Sequence, residues 1–335
     1  VDFLIELGLF VGKALIVVVA VFLIVSIVVS AASKQKENKG ELRVENLSKE
    51  LRKTTRQIKH SLLSKKARKR AEKEAKKEDA HEVDAANKVF LIDFKGSMDA
   101  KEVESLRREV SAVLAVASDK DEVMVRVESG GGVVHGYGLA ASQLQRLRDH
   151  GLSLTVTVDK VAASGGYMMA CVANHIVAAP FAVVGSIGVL AQIPNFHRLL
   201  KDNKVDFEQI TAGEYKRTLT LFGENTDEGR RKFQEDIDDV HELFKRHVAE
   251  RRPEVDIDRV ATGEIWYGSQ ALDLKLVDKI STSDDLLLDA AKNADVIKVS
   301  YKPKQNVAHR LTHSAAGALE GVLLKWLQRA SFWHR

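Results

Sequence analysis

The sequence predicts an α/β domain on a mainly parallel sheet, and three observations carry that prediction. Strand-like apolar runs alternate with helix-period segments repeatedly from Val89 to Val158. Glycine-rich turns, Gly130-Gly131-Gly132 and Ser164-Gly165-Gly166, follow strand-like runs. The 335-residue chain is 45% hydrophobic, enough to bury a sizeable core.

Val89 to Phe94 is a compact apolar run that reads as a buried strand. Val103, Leu106, Val110, Val113 and Leu114 recur at helical spacing between Ala100 and Val116, so a helix follows. Val123 to Val127 repeats the strand pattern, Val134 to His150 the helix, and Leu152 to Val158 gives a third strand. Successive strand-helix units favour parallel pairing, because each crossover returns the chain to the same end of the sheet. Ser164 then opens a helix running to about Val172, and His175 to Ala178 is a short strand. Val205 to Thr211 is expected as another strand. Asp227 to Arg251 is a long helix with Phe233, Ile237, Val240 and Phe244 on one face. Ligands of such sheets gather at the carboxyl ends of strands, where both the triple glycine and Ser164 fall.

Charge is unevenly spread. Residues 34–78 hold 17 Lys or Arg against 7 Glu, net +10, in a chain whose total is +4. The basic character belongs to one segment, not to a nucleic-acid-binding fold, and no nucleic-acid partner is expected. Cys171 is the only cysteine, which excludes an intramolecular disulfide and a cysteine-built zinc site. Neither a metal nor a cofactor is expected.

Ala14 to Ala32 is a run of 19 uncharged residues, long enough to cross roughly 30 Å of hydrocarbon as a helix. Residues 1–33 therefore read as an N-terminal transmembrane anchor. Ser30 and Ala32 offer the small residues of a signal-peptide cleavage site, but the apolar core is long for one, and Asp2 and Glu6 precede it. Residues 34–88 read as a basic linker, partly helical or flexible, with an affinity for anionic lipid. Residues 89–300 form the globular domain and 301–335 a tail, in which Leu319 to Trp333 makes an amphipathic helix for an interface or for packing. The basic residues that follow the span favour a cytoplasmic domain. Ile176 to Ile193 is also nearly uncharged, but Pro180 and two glycines favour buried protein over a second membrane segment.

Ser164 sits where a strand turns sharply into a helix, a position that presents a hydroxyl for nucleophilic attack. A serine needs a base within hydrogen-bond reach. His135, His150 and His175 are candidates by residue type, yet none is followed by an evident orienting carboxylate. Lys216 is the other candidate, since a lysine shielded from water can take the proton without a histidine or aspartate. Acyl transfer also needs amides aimed at the developing oxyanion. Gly165 can give one, and Gly131 or Gly132 another. No Gly-Lys-Ser or Gly-Lys-Thr follows the glycines, which argues against a phosphate loop.

Val161 to Tyr167, Gly185-Ser186-Ile187-Gly188-Val189, Gly213-Glu214-Tyr215-Lys216 and Trp266 to Ala271 running on to Leu276-Val277-Asp278 occur in an order that resembles the signal peptide peptidase A family of serine proteases. His135 to Leu144, Ser97 to Ala100 and the anchor with its basic tail resemble the SohB branch. The resemblance implies a ClpP-like (crotonase superfamily) domain, with Ser164 as nucleophile and Lys216 as general base. It also implies a ring-shaped homo-oligomer, in which Lys216 can act within its own chain or be supplied by the neighbouring subunit, and a substrate groove lined by Ser186, Ile187, Gly188 and Val189. Such a groove suits extended apolar peptides such as signal-peptide remnants or membrane-protein fragments, at a bacterial inner membrane. Some relatives place the active site on the outer side, against the charge argument.

Two departures stand out. Ser129-Gly130-Gly131-Gly132 replaces the common Ser-Pro-Gly-Gly, which predicts a more mobile loop, and Lys275 replaces a glycine before Leu-Val-Asp. Two competing readings keep the fold without the dyad: a non-proteolytic membrane scaffold or chaperone, and a crotonase-type acyl-CoA enzyme.

Overall fold

In β2 (Lys88–Lys95), Phe90, Ile92 and Phe94 face one core while Val89 and Leu91 face another, as the two-residue period of a strand requires. Both faces are covered, which is why the run reads as continuously apolar. The computed structural model describes residues 13, 19, 40–64, 67–68 and 87–303. Apart from Val19, the expected span at Ala14 to Ala32 lies outside these, as does the tail helix expected at Leu319 to Trp333. Among the described residues no helix is long and apolar enough to cross a membrane.

The main sheet has seven strands in the order β1-β10-β2-β3-β4-β6-β9. The others are β1 (Glu41–Asn46), β3 (Glu122–Glu128), β4 (Ser153–Val158), β6 (His175–Ala178), β9 (Lys279–Ile280) and β10 (Asp295–Lys302). From β10 to β9 every pairing is parallel, with Val89 opposite Glu122 and Glu122 opposite Ser153 fixing the register of the central three. The mainly parallel α/β architecture expected from the sequence is thus present.

Helices α2 (Val103–Leu114) and α3 (Val134–Asp149) cover one face, burying Leu106, Val110, Leu144 and Leu147 with the larger core. On the other face, Leu287 of α9 (Ser283–Asn293) and Leu47 of α1 (Leu47–Leu62) pack against Leu91 and Val296. Both β1 and α1 fall in the segment read from composition as a linker. Asn46 caps α1 by accepting from the Lys49 amide, and buried Ser48 accepts from Val296 N–H at 2.8 Å, which fixes the helix at the sheet edge.

A second sheet, β5 (Val161–Ala163), β7 (Val183–Gly185) and β8 (Ile265–Tyr267), lies in the order β5-β7-β8. A parallel bridge between Ser129 and Ala162 joins its first strand to the chain leaving β3. That bridge brings the two glycine-rich turns side by side.

The strand expected at Val205 to Thr211 does not form. After the short helix α5 (His197–Asp202), the chain is irregular up to α6 (Asp227–Arg251), and no residue between Leu190 and Thr226 is buried. Val205, Phe207 and Ile210 are exposed instead. Their alternation resembles a strand, but the segment pairs with none of the described strands.

Candidate active site

Ser164 joins β5 to the short helix α4 (Gly165–Ala170) with φ 51° and ψ −119°. A side chain at positive φ is strained, and here the surroundings enforce it. The Ser164 amide donates to Gly185 O at 2.8 Å and its carbonyl accepts from Met168 N–H at 2.9 Å. Such a sharp turn lifts the hydroxyl clear of the backbone, the geometry of a nucleophile.

Gly131, at φ 88°, faces this turn so closely that a Cβ there would lie 2.7 Å from both the Gly165 nitrogen and the Ser164 Cβ. Of the three amides expected to meet an oxyanion, that of Gly131 already donates to Ser129 Oγ at 3.1 Å. Those of Gly132 and Gly165 have no acceptor among the described residues.

A cavity of about 750 Å³ opens onto Ser164, Gly165 and the triple glycine. Its walls are largely apolar, with Met98, Val134, Met168, Leu190 and Phe244 among them. Of the groove residues expected from the sequence, Ser186, Gly188 and Val189 line it. Ile187 does not, being fully buried in the core.

Lys216 is not among the residues that line this cavity. It is exposed on the irregular segment, where its amide donates to Gly213 O at 3.2 Å. The histidines considered as bases are also elsewhere: His135, His150 and His175 are exposed and none lines the cavity. His241 of α6 does line it, and its buried Nε2 has no hydrogen-bond partner among the described residues. Nothing in the sequence around it marks His241 out, because it reaches the site from a helix 77 residues beyond Ser164.

The floor behind Ser164 is rigid. Tyr167 donates to Leu276 O at 2.8 Å, and burial pushes its phenol pKa up, so it stays protonated. Arg252 is almost fully buried and forms two bonds to Asp278, at 2.6 and 3.0 Å. Burial works against the Asp278 charge, but the Arg252 guanidinium and the Ile176 amide outweigh it and hold the carboxyl below its usual range. Cys171 is no rival nucleophile, since burial pushes its thiol up to about 12.

Among the described residues no group of His, Cys, Asp and Glu is arranged to hold a metal ion.

The description "Peptidase family S49 N-terminal" matches residues 2–144 and "Peptidase family S49" residues 146–297. The chain is 45% identical to a probable protease SohB of Haemophilus influenzae, over 98% of both chains. It is 54% identical to a probable protease SohB of Buchnera aphidicola subsp. Acyrthosiphon pisum, over 71% of each. Among solved structures it is similar, at a TM-score of 0.43 and 11% identity over 63% of this chain and 97% of the other, to a mutant of the 1510-N membrane-bound stomatin-specific protease. With a serine on a strained turn beside unengaged amides, family models matching residues 2–144 and 146–297, and a relative matching over 98% of both chains, the chain belongs to peptidase family S49, in its SohB branch, and is a serine-type protease.

Proposed function

We propose that the protein is a membrane-anchored endopeptidase working through a Ser164–Lys216 dyad, with Lys216 supplied by a neighbouring copy in a homo-oligomeric ring. One observation carries this reading: Ser164 is held on a strained turn, facing a cavity and next to the unengaged amides of Gly132 and Gly165. The exposed position of Lys216, on a segment without a buried residue, supports its use by another chain.

Ser164 Oγ attacks the peptide carbonyl carbon and its proton passes to the Lys216 amine. The Gly132 and Gly165 amides stabilise the oxyanion. The intermediate collapses, the C–N bond breaks, and the leaving amine takes the proton from Lys216. Water then gives a proton to the same lysine while attacking the acyl-enzyme, and Ser164 leaves reprotonated. The apolar walls suit extended apolar peptides, such as signal-peptide remnants or membrane-protein fragments, and the uncharged run Ala14 to Ala32 anchors the chain in the bacterial inner membrane.

A fluorophosphonate probe tests the nucleophile. The wild type should be labelled and should cleave a fluorogenic apolar peptide, whereas Ser164→Ala should do neither. Labelling that survives in Ser164→Ala would refute the assignment. Protease protection of a C-terminal tag in sealed vesicles would settle which side of the membrane the domain occupies.

A further inference from the structure

The loop facing Ser164, Gly130-Gly131-Gly132, contains no proline to stiffen it, yet both of its ends are tied to one turn. At its far end Val133 N–H donates to Met98 O at 2.9 Å, and a Cβ on Gly132 would overlap that same carbonyl. At its near end a chain of hydrogen bonds leads to the adjacent Ser97. Gly131 N–H donates to Ser129 Oγ at 3.1 Å, Ser129 Oγ lies 2.5 Å from Tyr137 Oη, and Tyr137 Oη lies 2.8 Å from Ser97 O.

Two proton orders satisfy these groups: Tyr137 donates to Ser97 O and Ser129 to Tyr137, or Tyr137 donates to Ser129 and Ser129 to Gly96 O at 3.4 Å. In either order Ser129 Oγ keeps a lone pair for the Gly131 amide. Burial raises the Tyr137 phenol above its ordinary pKa, so it stays neutral and keeps its proton at neutral pH. The anchor is itself braced, since Ser97 donates to Glu102 from its amide at 3.0 Å and from its hydroxyl at 2.8 Å.

The same tyrosine ring also reaches the other side of the oxyanion site. It is fully buried, meets Phe94 edge-on at 6.2 Å, and lies so close to Gly165 that any side chain there would overlap it. One side chain therefore bears on both amide-carrying segments: Gly165 by packing, and the triple glycine by hydrogen bonding through Ser129. Free amides stabilise an oxyanion only if they are held in place before the charge appears.

We propose that Tyr137, acting through Ser129, is a positioning residue that holds Gly131 and so sets the free Gly132 amide against Ser164. This rests on Ser164 being the nucleophile and on the neighbouring amides being the oxyanion donors.

The test compares the full-length wild type with Tyr137→Phe, Ser129→Ala, the double variant and Ser164→Ala. Peptide hydrolysis and the rate of fluorophosphonate labelling are measured, and final labelling counts the folded, competent sites. Tyr137→Phe keeps the ring, so its packing survives. It should lower kcat by about ten- to a hundredfold with KM nearly unchanged, and slow labelling in step, while full labelling is still reached. The double variant should be no worse than the weaker single one, because both break the same chain. Wild-type kcat and labelling rate in Tyr137→Phe, a loss confined to the number of competent sites, or additive losses in the double variant would overturn the proposal. If Ser164→Ala still cleaves, the reading of the site itself fails. An inactive Ser164→Ala beside a fully active Tyr137→Phe overturns the positioning role alone.

Discussion

Ser164 and Lys216 stand in regions built on different principles. Ser164 is set between a strand and a helix, on a turn whose strained backbone is held by Gly185 and Met168, and the helix is tied through Tyr167 to Leu276, next to the ion pair of buried Arg252 with Asp278. The segment bearing Lys216 has no buried residue between Leu190 and Thr226. It holds itself together instead: Asn195 donates to Thr220 O and Gly223 O, Phe196 N–H to Leu221 O, and the rings of Phe196 and Phe207 lie 6.1 and 5.8 Å from Phe222. Leu190, Ile210 and Tyr215 stay exposed. If the proposed dyad holds, a single chain presents the nucleophile and leaves the base unassembled. Exposed apolar groups on the segment that carries Lys216 are what an interface between copies would cover.

The largest effect expected is from Ser164→Ala or Lys216→Ala, each of which should cost at least about a thousandfold in peptide hydrolysis while the circular-dichroism spectrum stays unchanged. Equal activity in Lys216→Ala would break the contrast at its weaker side.

Arg252→Met should come next. Arg252 is buried but the Asp278 side chain is 29% exposed and keeps the Ile176 amide, so removing the guanidinium costs charge-assisted hydrogen bonds to a partly hydrated carboxylate, and a loss of about 2 kcal/mol is expected in denaturant unfolding. The Asp278 carboxyl is held below its unfolded pKa, so its contribution is present above that value and lost as pH falls through the lowered folded one. The destabilisation caused by Arg252→Met should therefore shrink in acid.

Phe222→Ala sharpens the comparison from the other side. Its ring is exposed to 41%, so unfolding of the single chain should change by about 1 kcal/mol or less. Sedimentation should nevertheless reveal weaker self-association, and activity should become dependent on protein concentration.

A smaller effect is expected at Glu109 of α2, where burial raises the carboxyl pKa to about 7 although Tyr301 N–H donates to it at 2.6 Å. A raised folded pKa means that the folded state holds the proton more tightly. Stability is therefore full below the unfolded value and declines as pH rises through about 7. Glu109→Gln keeps an acceptor for Tyr301 and carries no charge, so it should flatten this decline and be more stable than the wild type at pH 8.

Legibility in the sequence follows the same division. The strands β2, β3, β4 and β6 are buried on both faces, and their apolar runs announce them. The three-residue strands β5, β7 and β8 are too short for any period to show, although they bring Ser164 beside Gly131. Glycine-rich turns at strand ends mark the candidate nucleophile and the amides beside it. Ile187 was misassigned to the groove because a stretch that lines a cavity also turns alternate side chains into the core. Val205 to Thr211 has a strand's alternation but pairs with none of the described strands. His241, Ser129 and Tyr137 were not singled out, since a lone histidine on a long helix and two hydroxyls eight residues apart acquire meaning only through packing.

Mixing two inactive chains tests the division most directly. Ser164→Ala retains the lysine and Lys216→Ala the serine; when co-assembled one to one, about a quarter of interfaces by random assortment should unite an intact serine with an intact lysine. Peptide hydrolysis should then reappear in the mixture, with fluorophosphonate label confined to the Lys216→Ala chain. Mixed assemblies that form yet remain as inactive as either variant alone would contradict a site shared between copies.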